Sequence, residues 1–335
     1  MKKIFISIVA GLVLLLGLMP ARVAFAEDTT TGSFTVGSVS PIMTTMEIYA
    51  DASLTLIAST LTPQVEYYKK MSVSDANTLN DITELKLKMY YDAAGTDPLE
   101  STVVVGNAQT AAIITWTKTG SVWTIDAGAG TSWSIVTADC IVPNLTASSG
   151  DWVVAFKIGK VATESLAPAN WDFWGQVKNT AGAVAGIYKR NKMLQWYGQI
   201  AVNTPNVNWG VVTPGTGFAD NLNEQTGIST TWVSNGNYEG QIKSSATWTG
   251  SLNTATLDTT GNTTNPKEFS IKAWQDNTYA SAVVVDSVGV VINATGVQST
   301  ETGDVHTANT LWLKLASVFP IDVYSGTIAY IITNR

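Results

Sequence analysis

Apolar and polar residues alternate with a period of two along much of this chain, and that pattern constrains the fold more than any other property. Ser33-Phe34-Thr35-Val36-Gly37-Ser38-Val39 alternates cleanly, as do residues 83–90, 111–117, 152–158, 196–202 and 325–333. A two-residue repeat places one set of side chains on each face of an extended strand, so each run has one face to bury and one to leave wet. Turn-forming clusters separate the runs, among them Asp92-Ala93-Ala94-Gly95, Lys118-Thr119-Gly120-Ser121 and Ser234-Asn235-Gly236-Asn237. Short strands punctuated this way specify a sandwich or a barrel. A helical period shows only faintly in residues 74–85, where Asn77 and Asn80 weaken it. The expected fold class is all-β.

The N-terminus has a different logic. Lys2 and Lys3 precede an apolar run from residue 4 to residue 19, and Ala24-Phe25-Ala26 then presents the small-x-small pattern of a signal-peptidase site. The run is too short to span a membrane comfortably. Residues 1–26 are therefore expected to be a signal peptide cleaved before Glu27, leaving an exported chain with no membrane span. Losing Lys2, Lys3 and Arg22 takes the basic residues from 19 to 16, against 26 acidic ones. Such a surface repels phosphate backbones and anionic lipids, which argues against a nucleic-acid partner. Charged residues make up only 13% of the chain, and Thr, Ser, Asn and Gly take their place on strand faces and in turns. The single cysteine, Cys140, excludes an intramolecular disulfide and is expected to be a small buried hydrophobe. No cysteine stands beside the cleavage site to carry a lipid.

By length the mature chain should form two domains. The expected organisation is a flexible arm at 27–32, a first β-sandwich at 33–190 and a second at 191–335, with Lys189-Arg190-Asn191-Lys192 as linker. In the second, residues 196–202 are expected to pair with 207–212 across Thr204-Pro205-Asn206. Both halves carry a Thr-Trp-Thr phrase, within residues 114–120 and 246–250, which hints at shared architecture. In the first half, Trp171-Asp172-Phe173-Trp174-Gly175-Gln176-Val177-Lys178 leads into Asn179-Thr180-Ala181-Gly182 and a second strand at 183–188. This hairpin resembles the closing hairpin of secreted prokaryotic immunoglobulin-like surface proteins. Met71-Ser72-Val73-Ser74-Asp75, Leu79-Asn80-Asp81-Ile82 and residues 85–91 with Gly95 resemble the early strands of that family. The resemblance covers residues 33–190. It departs from the family in having no cysteine pair and a Trp-rich middle insertion (Trp116, Trp123, Trp133). It implies immunoglobulin-like or jelly-roll-like sandwiches on a cell surface.

Chemistry-bearing motifs are scarce. His306 is the single histidine, so no zinc, copper or haem set can be built from His and Cys, and no Ser-His-Asp or Cys-His pair without it. In Asp304-Val305-His306-Thr307 it reads as a solvated loop residue. Gly128-Ala129-Gly130 lacks the continuation of a phosphate loop. Asp75-Ala76-Asn77 matches the first two ligand positions of a calcium loop, and Asp81 lies nearby. Leu79 stands where a third ligand belongs, however, and Asn80 where glycine is required. Turn formation is the preferred reading of Asp75, Asn77 and Asp81, and calcium is the one cofactor the sequence leaves open. Twelve tryptophans are the unusual feature. Core packing explains most of them; Trp232 and Trp248, flanking the Asn235-Gly236 turn, are the candidates for stacking on a glycan. Asn144, Asn262 and Asn293 begin Asn-x-Ser/Thr sequons and would accept glycans in a host that makes them.

These observations lead to an expectation of a non-enzymatic secreted or cell-surface structural protein: a surface-layer, filament or adhesion subunit. It would work through strand and face contacts with copies of itself or with other surface proteins. Phe34, Val36 and Val39 are the candidate assembly residues, on a strand offered to a neighbour's sheet edge. The competing readings are a polysaccharide-binding module that uses exposed Trp and, third, an exported hydrolase whose acids meet only in space.

Overall fold

The structure is a computed structural model and describes residues 30–96 and 105–335. The expected signal peptide, residues 1–26, lies outside the described residues. The described residues divide into two units between Gly37 and Ser38. Within the first, residues 30–37 carry no strand. The sequence alternation at 33–39 therefore does not build an opening strand, which begins later, at Ile42.

The second unit is all-β, as the two-residue repeat requires. Its N-terminal half contains β1 (Ile42–Tyr49), β2 (Thr60–Leu61), β3 (Glu66–Ser74), β4 (Ile82–Asp92), β5 (Ala111–Thr117), β6 (Val122–Ile125), β7 (Ser134–Ile135), β8 (Ser149–Lys157), β9 (Asn170–Asn179) and β10 (Val184–Leu194). These form a sheet in the order β1-β3-β8-β7 and another in the order β2-β10-β9-β4-β5-β6. Strand β3 shows how the sequence dictates packing: Tyr67, Lys69, Met71 and Val73 point inward and alternate with half-exposed neighbours. Trp152, Val154 and Phe156 of β8 join them, opposite Leu85, Leu87, Trp116 and Phe173. Trp116 meets Trp152 edge-on with ring centroids 5.5 Å apart. Lys69 is fully buried in this apolar layer, its ammonium 4.5 Å above the Phe173 ring. A cation over an aromatic face recovers part of its desolvation cost. Cys140 is half-buried against the same core, close to the expected environment.

The C-terminal half contains β11 (Gly198–Val202), β12 (Glu224–Ser234), β13 (Tyr238–Ser244), β14 (Thr247–Thr249), β15 (Thr254–Leu257), β16 (Glu268–Trp274), β17 (Val283–Val284), β18 (Val290–Gly296), β19 (Asp304–Leu315) and β20 (Ile328–Asn334). The larger sheet runs β11-β12-β19-β16-β15-β14, with β17 on β16, and the smaller runs β18-β13-β20. A core of Trp232, Tyr238, Ile242, Phe269, Ile271 and Leu311 lies between them.

Three further expectations need correction. The faint helical period at 74–85 yields only a short 3-10 turn, Leu79–Asp81. The basic run 189–192 is not a linker but belongs to β10. Backbone pairing is indifferent to side-chain charge, and the ladder continues through Lys192↔Trp171 and then Met193↔Thr60. The connection between the halves falls after Leu194. Residues 196–202 do not pair with 207–212 either: β11 pairs with β12, Ile200 opposite Trp232, and residues 203–223 carry no strand. Pro205 has no N–H to donate, Asn208 Oδ1 accepts the N–H of Gly210 at 2.8 Å, and Gly210 turns the chain at φ 66°.

Polar side chains join the two halves. Asn235, fully buried in the β12–β13 turn, donates from Nδ2 to the carbonyls of Ala162 (2.9 Å) and Gln195 (3.0 Å) and accepts from the N–H of Tyr197 (2.6 Å). Gln298 donates to the Val161 carbonyl at 2.8 Å and Gln109 to the Ser299 carbonyl at 3.0 Å. The Glu301 carboxylate receives the N–H groups of Thr131 (2.8 Å) and Ser132 (2.7 Å) and both hydroxyls. Burial alone would raise the Glu301 pKa, but these donors outweigh it and hold the carboxyl below the usual range.

Candidate functional site: an apolar cleft and an exposed arm

The smaller sheet of the C-terminal half has fewer strands than the sheet it covers, so part of the larger sheet's inner face lacks a strand opposite it. Register places that apolar patch: Trp248 opposite Ala255 on β14–β15, Leu257 opposite Phe269 on β15–β16, and Phe269 opposite Leu315 on β16–β19. Loop segments 207–214 and 319–324 roof it instead, leaving a cleft of about 580 Å³ lined by Trp209, Trp248, Phe269, Leu313, Phe319 and Tyr324. Trp209 and Trp248 approach to 6.0 Å, Trp248 and Phe269 to 5.0 Å, and Phe319 and Tyr324 to 5.1 Å. At the rim, Val211 and Ile321 are fully exposed and Val323 nearly so. The roof is imperfectly satisfied, since Trp209 Nε1 is buried without an acceptor.

The cleft's single charged residue is already engaged. Asp322 accepts from the N–H of Leu252 (2.8 Å), Asn253 (3.0 Å) and Val323 (2.9 Å), and from the N–H (3.1 Å) and hydroxyl (2.8 Å) of Ser251. The Leu252 N–H leads these donors in pulling its carboxyl far below the ordinary range. Asp322 thus fastens the β14–β15 turn to the roof. The cleft offers apolar burial, with no second carboxylate for acid–base work.

The second feature is the strandless segment 30–37 ahead of β1, hereafter the arm. Phe34 is 90% and Val36 69% exposed. Immediately after them the chain is gripped. Asn179 Nδ2 donates to Ser38 Oγ (2.9 Å) and the Val39 carbonyl (2.8 Å), Asp81 accepts from Ser38 Oγ (2.7 Å), and Asn77 Oδ1 accepts from the Val39 N–H (3.2 Å). Asp75 in turn accepts the N–H of Asn77 at 2.8 Å. Two of the three residues resembling calcium ligands, Asn77 and Asp81, therefore hold residues 38–39, and Asp75 orients Asn77. Among the described residues no group of three or more His, Cys, Asp or Glu is placed to hold a metal.

The other sequence candidates fall as follows. Trp232 is 1% exposed, stacked on Tyr238 at 5.9 Å with its Nε1 donating to Thr230 Oγ1 at 2.8 Å. It shares the inward phase of Ile228 and Thr230 on β12 and has no face for a glycan. Trp248 does line the cleft, but its indole is wedged between Phe269 and Gly326, where an added Cβ would overlap the ring. The neighbouring Trp209 is tilted at 48° and not coplanar, so no flat stacking platform results. His306 lies on β19 and not in a loop, half-buried and edge-on to Trp232 at 6.2 Å. Asn144 and Asn262 are exposed in turns, whereas Asn293 is buried on β18 with its side-chain Oδ1 accepting the Thr295 N–H at 3.1 Å. The cleft itself escapes sequence reasoning because Trp209 lies in a segment, 207–212, whose expected strand does not form, and Phe319 in one with no strand period.

Fold and site together define an all-β protein of paired sheets that carries an aromatic cleft and an exposed apolar arm. No protein-family model matches the chain, and no curated protein sequence does. Among solved structures, the 35 kDa C-terminal fragment of the major pilin GBS80 of Streptococcus agalactiae aligns over 86% of this chain and 91% of its own, at 10% identity and a TM-score of 0.25. So loose a likeness assigns no shared fold.

Proposed function

We propose that the protein is a non-enzymatic, exported structural subunit that associates with copies of itself at the cell surface, as in a surface layer, filament or adhesive assembly. The observation that carries this reading is the arm. Phe34 and Val36 stand exposed just ahead of the point where Asn77, Asp81 and Asn179 grip Ser38 and Val39. Two large apolar side chains on one face of an extended segment cost solubility unless a partner covers them, and an extended segment adds readily to a neighbouring sheet or groove. The hydrogen-bonded junction between the halves suits a subunit that passes on load and not one that opens and closes. Export rests on the Lys2-Lys3, apolar and Ala24-Phe25-Ala26 pattern of the N-terminus.

The test is sedimentation velocity on the secreted protein over a wide concentration range, with mass spectrometry of its N-terminus. The expected result is a chain beginning at Glu27 that grows into larger species with concentration, and a variant lacking residues 32–39 that stays monomeric. A parent protein that remains monomeric throughout overturns the proposal.

A further inference from the structure

We infer that the apolar cleft of the C-terminal half is the acceptor for the arm of a second copy, with Phe34 and Val36 entering between segments 207–214 and 319–324. This rests on the structural-subunit reading and names the contact through which it would act. Phe34 and Val36 are two residues apart, so in an extended chain both project to one side while Ser33 and Thr35 face away. The cleft presents what such a pair needs: a floor of Trp248, Phe269 and Leu313, walls of Trp209 and Phe319, and an apolar rim at Val211, Ile321 and Val323.

Charge argues for the same pairing. Without residues 1–26 the chain has 16 basic against 26 acidic residues, so most of its surface repels a second copy. Residues 30–41 contain no charged side chain, and Asp322, the cleft's one carboxylate, is already engaged by the β14–β15 turn. Because the arm segment is uncharged, acidic copies can meet at arm and cleft without like charges facing each other. Each chain carries one donor and one acceptor. The contact is therefore head-to-tail, and it either extends into a filament or closes into a ring.

The experiment uses the full secreted chain and two double variants, F34S/V36S in the arm and V211D/I321D at the rim. All four positions are exposed, so both variants should fold, which circular dichroism checks. Each variant is expected to weaken self-association at least tenfold, the loss of about one buried apolar side chain. Mixed together, they should form dimers that grow no further, because the arm variant contributes an intact cleft and the rim variant an intact arm. If the arm variant is monomeric while the rim variant assembles like the parent, the acceptor lies elsewhere; this inference falls and the structural-subunit reading stands. If both variants assemble like the parent, the arm-in-cleft contact is refuted. If an oligosaccharide quenches tryptophan fluorescence in the parent but not in V211D/I321D, and assembly is unaffected by either variant, the cleft is a sugar site and the inference is overturned.

Discussion

Replacing Asn235 by Ala tests whether the two halves are held by polar side chains at their junction. Asn235 is fully buried and makes three side-chain hydrogen bonds, to Ala162, Gln195 and Tyr197. Each is worth about 1 kcal/mol net, and the carbonyls and N–H left behind lose their partner in a dry interface, so the expected cost is about 3 kcal/mol. How that cost appears depends on cooperativity. Unfolding entropy near 60 °C is about 2.1 cal/mol/K per residue, so a unit of roughly 300 residues loses about 5 °C in Tm. If the C-terminal half, of roughly 140 residues, melts alone, the same cost lowers its transition by about 10 °C and leaves the other unmoved. Scanning calorimetry of N235A against the parent and against N206A, a change at an exposed loop position, separates these cases. A single transition lowered by about 5 °C supports one cooperative body. A Tm indistinguishable from that of N206A would mean that the junction does not depend on this amide, and the argument fails.

Two further predictions concern pH. The Glu301 carboxyl is held below its ordinary pKa by Ser132 and Thr131 against the opposing effect of burial, so it stabilises the fold fully above the unfolded value of about 4.3 and loses that contribution as pH falls through the folded value. E301Q should flatten the acid limb of the stability curve below about pH 4.5 and leave a lower plateau at neutral pH; an unchanged acid limb refutes the assignment. Burial lowers the pKa of His306, with Asp304 pulling the other way, so its stabilising effect is present above about pH 6.5 and declines as pH falls. As the single histidine, it gives an unambiguous NMR titration, whose midpoint should lie below that of a free imidazole; a midpoint above it contradicts the half-buried placement on β19.

Much of the strand content was legible in the sequence. The alternating runs at 111–117, 152–158 and 325–333 coincide closely with β5, β8 and β20, and the aromatic hairpin at 171–188 is β9 and β10. A period of two reports that a segment has a buried face, and glycine- and asparagine-rich clusters report where the chain turns. Both are local properties, so residues close in sequence suffice to show them. The same local logic misled at residues 33–39, which alternate but find no partner strand within their own sheets, and at 189–192, where charge suggested a linker inside what is continuous strand.

The sequence alone thus determined an all-β chain with an acidic, charge-poor surface and no histidine–cysteine chemistry. Only the tertiary structure decided which tryptophans are covered, that Asp81 and Asn77 grip residues 38–39, that Glu301 reaches Thr131 across 170 residues, and that part of the larger sheet in the C-terminal half is roofed by loops. The reason is physical. Alternation fixes the two faces of a strand but not the strand beside it or the sheet above it. A cleft forms where long-range pairing leaves an apolar face without its cover, and no local stretch of sequence records that.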